Sequence, residues 1–165
     1  MNKIYIVGIV ASGKTTLAKK LSEHLHIPWF ELDCIIYCNS ETGRYKRSPE
    51  QQLEVIHDID KNENWIIEGT YRIACHCLFE LADTIIFLDP PLWKRKLRIF
   101  KRYIKQQLRI EKCHYKSNLK MLKLMYKWTK DFEIDRKNFE AMLEQYENKI
   151  LKLSDNDDLS IAEFL

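Results

Sequence analysis

Apolar residues recur along this chain in two alternating rhythms. Lys3-Ile4-Tyr5-Ile6-Val7 is a short apolar run that stops at Gly8, the pattern of a buried strand. Leu17, Ala18, Leu21 and Leu25 then recur at helical spacing, with Lys19, Lys20, Glu23 and His24 on the opposite face. Trp29-Phe30-Glu31-Leu32 reads as a second strand ending at Asp33, and Cys34 to Arg47 as irregular chain. Ser48-Pro49-Glu50-Gln51 is a helix start with a capping box, continued by Leu53, Val55, Ile56 and Ile59. A third strand, Trp65-Ile66-Ile67-Glu68, closes at Gly69, and a helical stretch passes through Leu78, Phe79 and Leu81. Thr84 to Asp89 is a fourth strand, closed by Pro90-Pro91. A long basic helix starts near Leu92, a second helix carries Leu119, Leu122, Met125 and Tyr126, and a third runs from Asp135 to Tyr146. Lys149 to Leu153 reads as a fifth strand and Ser160 to Leu165 as a closing helical turn. Strands alternating with helices predict a three-layer α/β domain around a parallel sheet, its crossovers right-handed.

The totals add bounds to this pattern. A chain of 165 residues fits one domain, 1–165, with a real core. No apolar run is long enough to cross a bilayer, and the N-terminus runs into a glycine loop too soon for a signal peptide. The expectation is a cytoplasmic protein with no membrane partner. Its five cysteines are then reduced thiols. Cys75-His76-Cys77 and Cys113-His114 lack the paired spacing of a structural zinc site. The net charge is only +3, but Lys94 to Lys130 holds fourteen lysines and arginines and one acid, Glu111. This basic segment, about 95–130, is read as a lid that an anionic group approaches.

The strongest chemistry lies after the first strand. Gly8-Ile9-Val10-Ala11-Ser12-Gly13-Lys14-Thr15 matches the phosphate-binding pattern G-x-x-x-x-G-K-S/T in full, between a strand and an amphipathic helix. Gly8 and Gly13 let the backbone turn tightly and pass close to a phosphate. The N–H groups of Ala11, Ser12, Gly13, Lys14 and Thr15, with Thr16 behind them, point into the loop at a helix N-terminus. Lys14 brings a charge to the β- and γ-phosphates, and the Thr15 hydroxyl can ligate Mg²⁺. The expected cofactors are ATP and Mg²⁺.

With the loop, the third strand and the basic helix in view, the chain resembles the nucleoside monophosphate kinase branch of P-loop proteins. More closely, it resembles the small bacterial DNA topology modulation proteins, relatives of adenylate kinase. The resemblance is carried by the loop, by Phe30-Glu31-Leu32-Asp33, by Trp65-Ile66-Ile67-Glu68-Gly69-Thr70-Tyr71-Arg72 and by Ala82 to Asp89. It implies the strand order 2-3-1-4-5 and a short helical lid. It also implies that Glu68 lies near Mg²⁺, that Arg72 holds the acceptor, and that Arg98 and Arg102 neutralise the transferring phosphoryl group. The segment Cys34 to Ser48 is too short for an AMP-binding insertion. Asp33 at a strand end instead matches the small kinases of shikimate type. No tetracysteine lid is present, so no lid zinc is implied.

The same residues can be read without the family. Asp33, Glu68 and Asp89 each close a predicted strand, and ligands bind outside the carboxyl ends of parallel strands. Glu68 is placed beside the Thr15 metal site, and Asp33 further out, where it can orient or deprotonate an acceptor hydroxyl. Asp89 either joins the site or caps the helix after Pro90-Pro91. Arg98 and Arg102 share a helix face, with Arg95 near it. His57, His76 and His114 have no identifiable acid or nucleophile beside them. The apolar stripe from Leu119 to Tyr126, extended by Trp128 and Phe132, reads as core or partner-helix surface. Tyr37, Tyr45 and Tyr71 are candidates for an acceptor pocket.

Two functions fit. One is a kinase that transfers the γ-phosphate of ATP·Mg²⁺ to a small molecule or nucleotide, with Lys14, Asp33, Arg72, Arg98 and Arg102 as its catalytic residues. The other is an NTP-binding, nucleic-acid-associated protein, suggested by the basic segment and its interleaved aromatics. No known nucleic-acid reader is visible. A motor ATPase is disfavoured, because the chain lacks an Asp-Glu pair after a hydrophobic strand. The acceptor and the oligomeric state are not legible.

Overall fold

The computed structural model describes residues 2–40, 43–108, 110 and 117–156. In chain order the elements are β1 (Lys3–Val7), α1 (Lys14–Leu25), β2 (Trp29–Glu31), α2 (Leu32–Ile36), β3 (Tyr37–Ser40), β4 (Gly43–Lys46), α3 (Pro49–Asp60), β5 (Trp65–Gly69), α4 (Cys77–Leu81), β6 (Thr84–Leu88), α5 (Leu92–Gln107), α6 (Leu119–Glu144) and β7 (Ile150–Leu153). Five strands form one sheet in the order β2-β5-β1-β6-β7, all parallel. Counted along the chain this is the 2-3-1-4-5 order that the resemblance implies.

Alternation along the central strand builds the three layers. Tyr5 and Val7 of β1 face a core shared with Ile56 of α3, Phe79 of α4, and Phe139 and Leu143 of α6. Ile4 and Ile6 face the other way, onto Leu17, Ala18 and Leu21 of α1. In parallel register Ile4 pairs with both Ile66 and Thr84, so the C-terminal ends of β1, β5 and β6 reach the same edge of the sheet. Among the described residues no helix is long and apolar enough to cross a membrane.

The capping box before α3 forms as expected: Gln51 N–H donates to Ser48 Oγ at 3.3 Å and Ser48 N–H to Gln51 Oε1 at 3.0 Å. Three elements differ from the sequence reading. Strand β2 ends at Glu31, and Leu32 and Asp33 open the short helix α2, because buried Leu32 and Ile36 repeat at one helical turn. The segment read as irregular holds that helix and the β3–β4 hairpin. Arg47 donates to Cys34 O at 2.9 Å and Ile35 O at 2.8 Å, satisfying carbonyls at the end of α2. The two expected helices after Leu119 are one helix of 26 residues. Nothing between Lys130 and Asp135 breaks it, and buried Met125, Thr129, Phe139 and Leu143 hold it to the domain. The turn expected at Ser160–Leu165 and the pair Cys113-His114 lie outside the described residues.

Candidate active site

The loop between β1 and α1 has the backbone that a phosphate cradle requires. Gly13 takes φ 109°, in the left-handed region, and the Asn156 side chain lies 2.7 Å from where its Cβ would stand. A Cβ on Gly8 would come within 2.5 Å of Leu88 O, so the loop must start against the end of β6. Helix α1 opens at Lys14 with no side chain capping its first N–H groups, which leaves them directed into the loop.

Two charged side chains are buried beneath the loop. Lys14 is 8% exposed; its ammonium donates to Ile9 O at 2.9 Å and contacts Ser12 Oγ at 3.4 Å. Burial holds the Lys14 pKa below its ordinary value, opposed by the charges of Glu68 and Asp33. Glu68, at the end of β5, accepts from Thr15 Oγ1 at 2.6 Å. Burial raises its pKa, opposed by Lys14 and by the Thr15 hydrogen bond. An incoming polyphosphate would supply at Lys14 the negative charge that offsets burial, whereas at Glu68 it would add a like charge unless a cation came with it.

Further along the same sheet edge, Arg72 donates to Asp33 Oδ1 at 3.2 Å. The two residues come from separate segments, α2 and the chain after β5. From the other side Arg98 of α5 donates to Ser12 O at 2.6 Å and to Asp155 Oδ1 at 2.6 Å, bringing the basic helix onto the loop itself. Lys94 also pairs with Asp155.

The loop, Glu68, the Asp33–Arg72 pair and Arg98 face one cleft of about 1230 Å³. It is lined by Gly8, Ala11, Gly13, Lys14, Thr15 and Thr16 of the loop, and by Asp33, Glu68, Arg72, Arg98 and Arg102. Ser12 does not line it; its side chain is fully buried behind the loop. Among the tyrosine candidates Tyr71 lines the cleft, while Tyr37 and Tyr45 sit in the β3–β4 hairpin and do not. Asp89 neither lines the cleft nor caps α5: it accepts both Arg136 Nη atoms, at 2.6 and 3.1 Å. Arg95 turns inward, is buried, and pairs with Glu133. His76 bridges Tyr71 and Tyr146 at 3.4 and 3.2 Å.

Sequence reasoning missed part of the wall. Trp128, Asp131, Phe132, Asp135 and Phe139 of α6 line the cleft, as does Asn156 beyond β7. Their spacing of three or four residues puts them on one face of α6, a signal hidden when that helix is divided at residue 135.

The cleft can seat a polyphosphate on the loop, a divalent cation at hydroxyl and carboxylate oxygens, and a second molecule between Asp33, Arg72 and α6. Among the described residues no group of three or more His, Cys, Asp or Glu is placed to hold a metal. A magnesium ion needs no such group when phosphates and water fill most of its shell, so Thr15 and Glu68 fit it.

Comparison with solved structures gives this geometry a context. An uncharacterized protein from Eubacterium ventriosum superposes with a TM-score of 0.58 at 16% identity, over 96% of this chain and 92% of that one. Shikimate kinase from Acinetobacter baumannii, in complex with shikimate, gives 0.55 at 14% identity, over 92% and 82%. A gluconokinase from Sinorhizobium meliloti gives 0.52 at 16% identity, over 98% and 86%. The chain has the P-loop kinase fold. A curated relative, shikimate kinase from Bacteroides fragilis, is 28% identical over 117 residues, covering 62% of this chain. The chain spans just under two thirds, 65%, of that relative's length. No protein-family model matches the chain.

Proposed function

We propose that this protein is a phosphotransferase that moves the γ-phosphoryl group of ATP·Mg²⁺ to a hydroxyl of a small molecule. The observation that carries the reading is the convergence on one cleft of the loop lysine, the Thr15–Glu68 pair, the Asp33–Arg72 pair and the arginines of α5. The N–H groups of the loop and Lys14 hold the β- and γ-phosphates. Thr15 and Glu68 would hold magnesium, which neutralises phosphate charge when bound. Asp33 orients the acceptor hydroxyl and takes its proton as the oxygen attacks the γ-phosphorus and ADP leaves. Arg72 binds the acceptor beside it. Arg98 and Arg102 stabilise charge on the transferring group, for which the planar guanidinium suits phosphate oxygens.

Similarity to a shikimate kinase over more than half the chain supports a small hydroxylated acceptor rather than a nucleotide. The likeness to DNA topology modulation proteins, carried by the loop and by the blocks Phe30 to Asp33, Trp65 to Arg72 and Ala82 to Asp89, brings the alternative of nucleic-acid association. The kinase reading is preferred because the curated relative is a kinase and Arg98 is turned onto the phosphate loop through Ser12 O, while Lys96, Lys101 and Lys105 stay exposed. The test is a screen of hydroxylated metabolites, nucleosides and nucleotides for acceptor-stimulated ADP release. Stimulation by one class, lost in Asp33→Asn, supports the reading. Absence of stimulation in every class, with DNA binding that falls steeply with salt, would favour the alternative.

A further inference from the structure

Helix α5 has two faces, and only one is used by the cleft. Arg95 and Ile99 are buried, and Arg98 and Arg102 turn toward the loop. On the opposite side Trp93, Leu97, Phe100, Ile104 and Leu108 are between 41% and 66% exposed. Their spacings of four, three, four and four residues place them in one line. At about 100° per residue the line covers an arc of about 80° and runs about 22 Å along the helix. The main packing partner of α5 is α6, on the inner side, which leaves this line uncovered.

We propose that this line is a docking surface for an amphipathic helix of a partner protein, one carrying acids beside its apolar seam. Three features choose that occupant. The spacing is that of a heptad seam: Trp93, Leu97, Phe100 and Ile104 alternate as d and a positions. The flanking g and e positions hold exposed Lys96 and Lys101, the latter at the border with the cleft, and α5 contains no acid. A facing helix with glutamate or aspartate at its own e and g positions complements those lysines. A second copy of this chain does not. In a parallel pair Lys96 would face Lys101 of the other copy, and in an antiparallel pair lysine would also face lysine. The narrow arc is also that of a coiled-coil seam, whereas a helix lying in a bilayer surface presents a broader apolar face.

The proposal goes beyond the phosphotransferase reading and does not depend on it. Its test uses the whole protein and two labelled synthetic helices of about three heptads, with leucine at a and d. One carries glutamate at e and g, the other lysine. The acidic peptide is expected to bind at low ionic strength and to weaken with salt, while the basic peptide does not bind. The double variant Leu97→Ser/Phe100→Ser should lower affinity by about tenfold or more, because it removes two apolar knobs. Lys96→Glu should also weaken the acidic peptide. The melting temperature and its response to ATP should stay unchanged in these variants. Failure of the acidic peptide to bind overturns the proposal, as does equal binding of both peptides. A concentration-dependent dimer lost in Leu97→Ser/Phe100→Ser would identify a second copy as the occupant and overturn it. Sedimentation with phosphatidylglycerol vesicles, lost in the same variant, would overturn it in favour of a bilayer.

Discussion

Lys14→Met tests the phosphate site most directly, because methionine keeps the length of the stem and removes only the charged end. In the wild type that ammonium is buried and held by Ile9 O at 2.9 Å and Ser12 Oγ at 3.4 Å. Losing the charge-assisted bond to Ile9 O costs about 1.5–3 kcal/mol, and losing a desolvated charge offsets much of it. The melting temperature of the protein alone should therefore move little. Binding of ATP should change far more. A buried charge-assisted contact to phosphate contributes about 2–3 kcal/mol, so its removal weakens affinity about 100-fold. At an ATP concentration about 100 times the wild-type Kd, ligand binding adds about 2.7 kcal/mol to wild-type stability. For a domain of this size that is about 5–10 °C in Tm. In Lys14→Met the same ATP concentration sits near Kd and adds about 0.4 kcal/mol, or about 1 °C. Thermal melts with and without ATP·Mg²⁺ read the difference without knowledge of the acceptor. A full wild-type ATP shift in Lys14→Met would refute the assignment of the loop as the nucleotide site.

Three further outcomes follow from the geometry. Asp33→Asn should lower acceptor-stimulated ADP release by about 10²–10⁴-fold while leaving the ATP-induced Tm shift intact; loss of both would place Asp33 on the donor side instead. Because burial raises the Glu68 pKa above its ordinary 4.5, its carboxylate protonates as pH falls through that raised value. The magnesium-dependent part of the ATP shift should fade over that window, and Glu68→Gln should show little of it at any pH; a shift constant from neutral pH down to 4.5 counts against Glu68. Arg136→Met leaves Asp89 and Glu133 without the guanidinium that bridges them and should cost about 2–3 kcal/mol in denaturant unfolding. Adding Asp89→Asn should recover about 1 kcal/mol, and strict additivity would show the pair to be inert.

The legible part of this protein is the part governed by local rules. The loop is a contiguous pattern, and both glycines sit where backbone geometry demands them. Strand order and the convergence of Asp33, Glu68 and Arg72 follow once parallel pairing and loop position are known. What stayed hidden depends on pairing between distant residues. Asp89 closes its strand as expected, but nothing local reveals that Arg136, 47 residues on, takes both its oxygens. Arg95 looks equivalent to Arg98 by spacing, yet Glu133 draws it inward. The hairpin after α2 was missed because its strands are short and polar, with exposed Gly43 to Lys46 showing no apolar alternation.

Those long-range pairs tie together the elements that wall the cleft. Arg98 ties α5 to the loop through Ser12 O and to the end of β7 through Asp155. Arg95 ties α5 to α6 through Glu133, and Glu133 is itself bonded to Arg136, which grips Asp89 at the end of β6. Asp131 and Asp135, on the cleft wall, flank Glu133 on the same helix. Two ionic clusters thus meet on α5: Arg95 joins it to Glu133, Arg136 and Asp89, and Arg98 joins it to Asp155 and the carbonyl of the phosphate loop. If the phosphotransferase reading holds, a phosphoryl group that competes for Arg98 would act on the same pair of helices that an acceptor against the α6 side of the cleft would touch. On that reading, coupling between donor and acceptor binding would need no separate lid domain, because ligands that both bias the α5–α6 pair are linked through it.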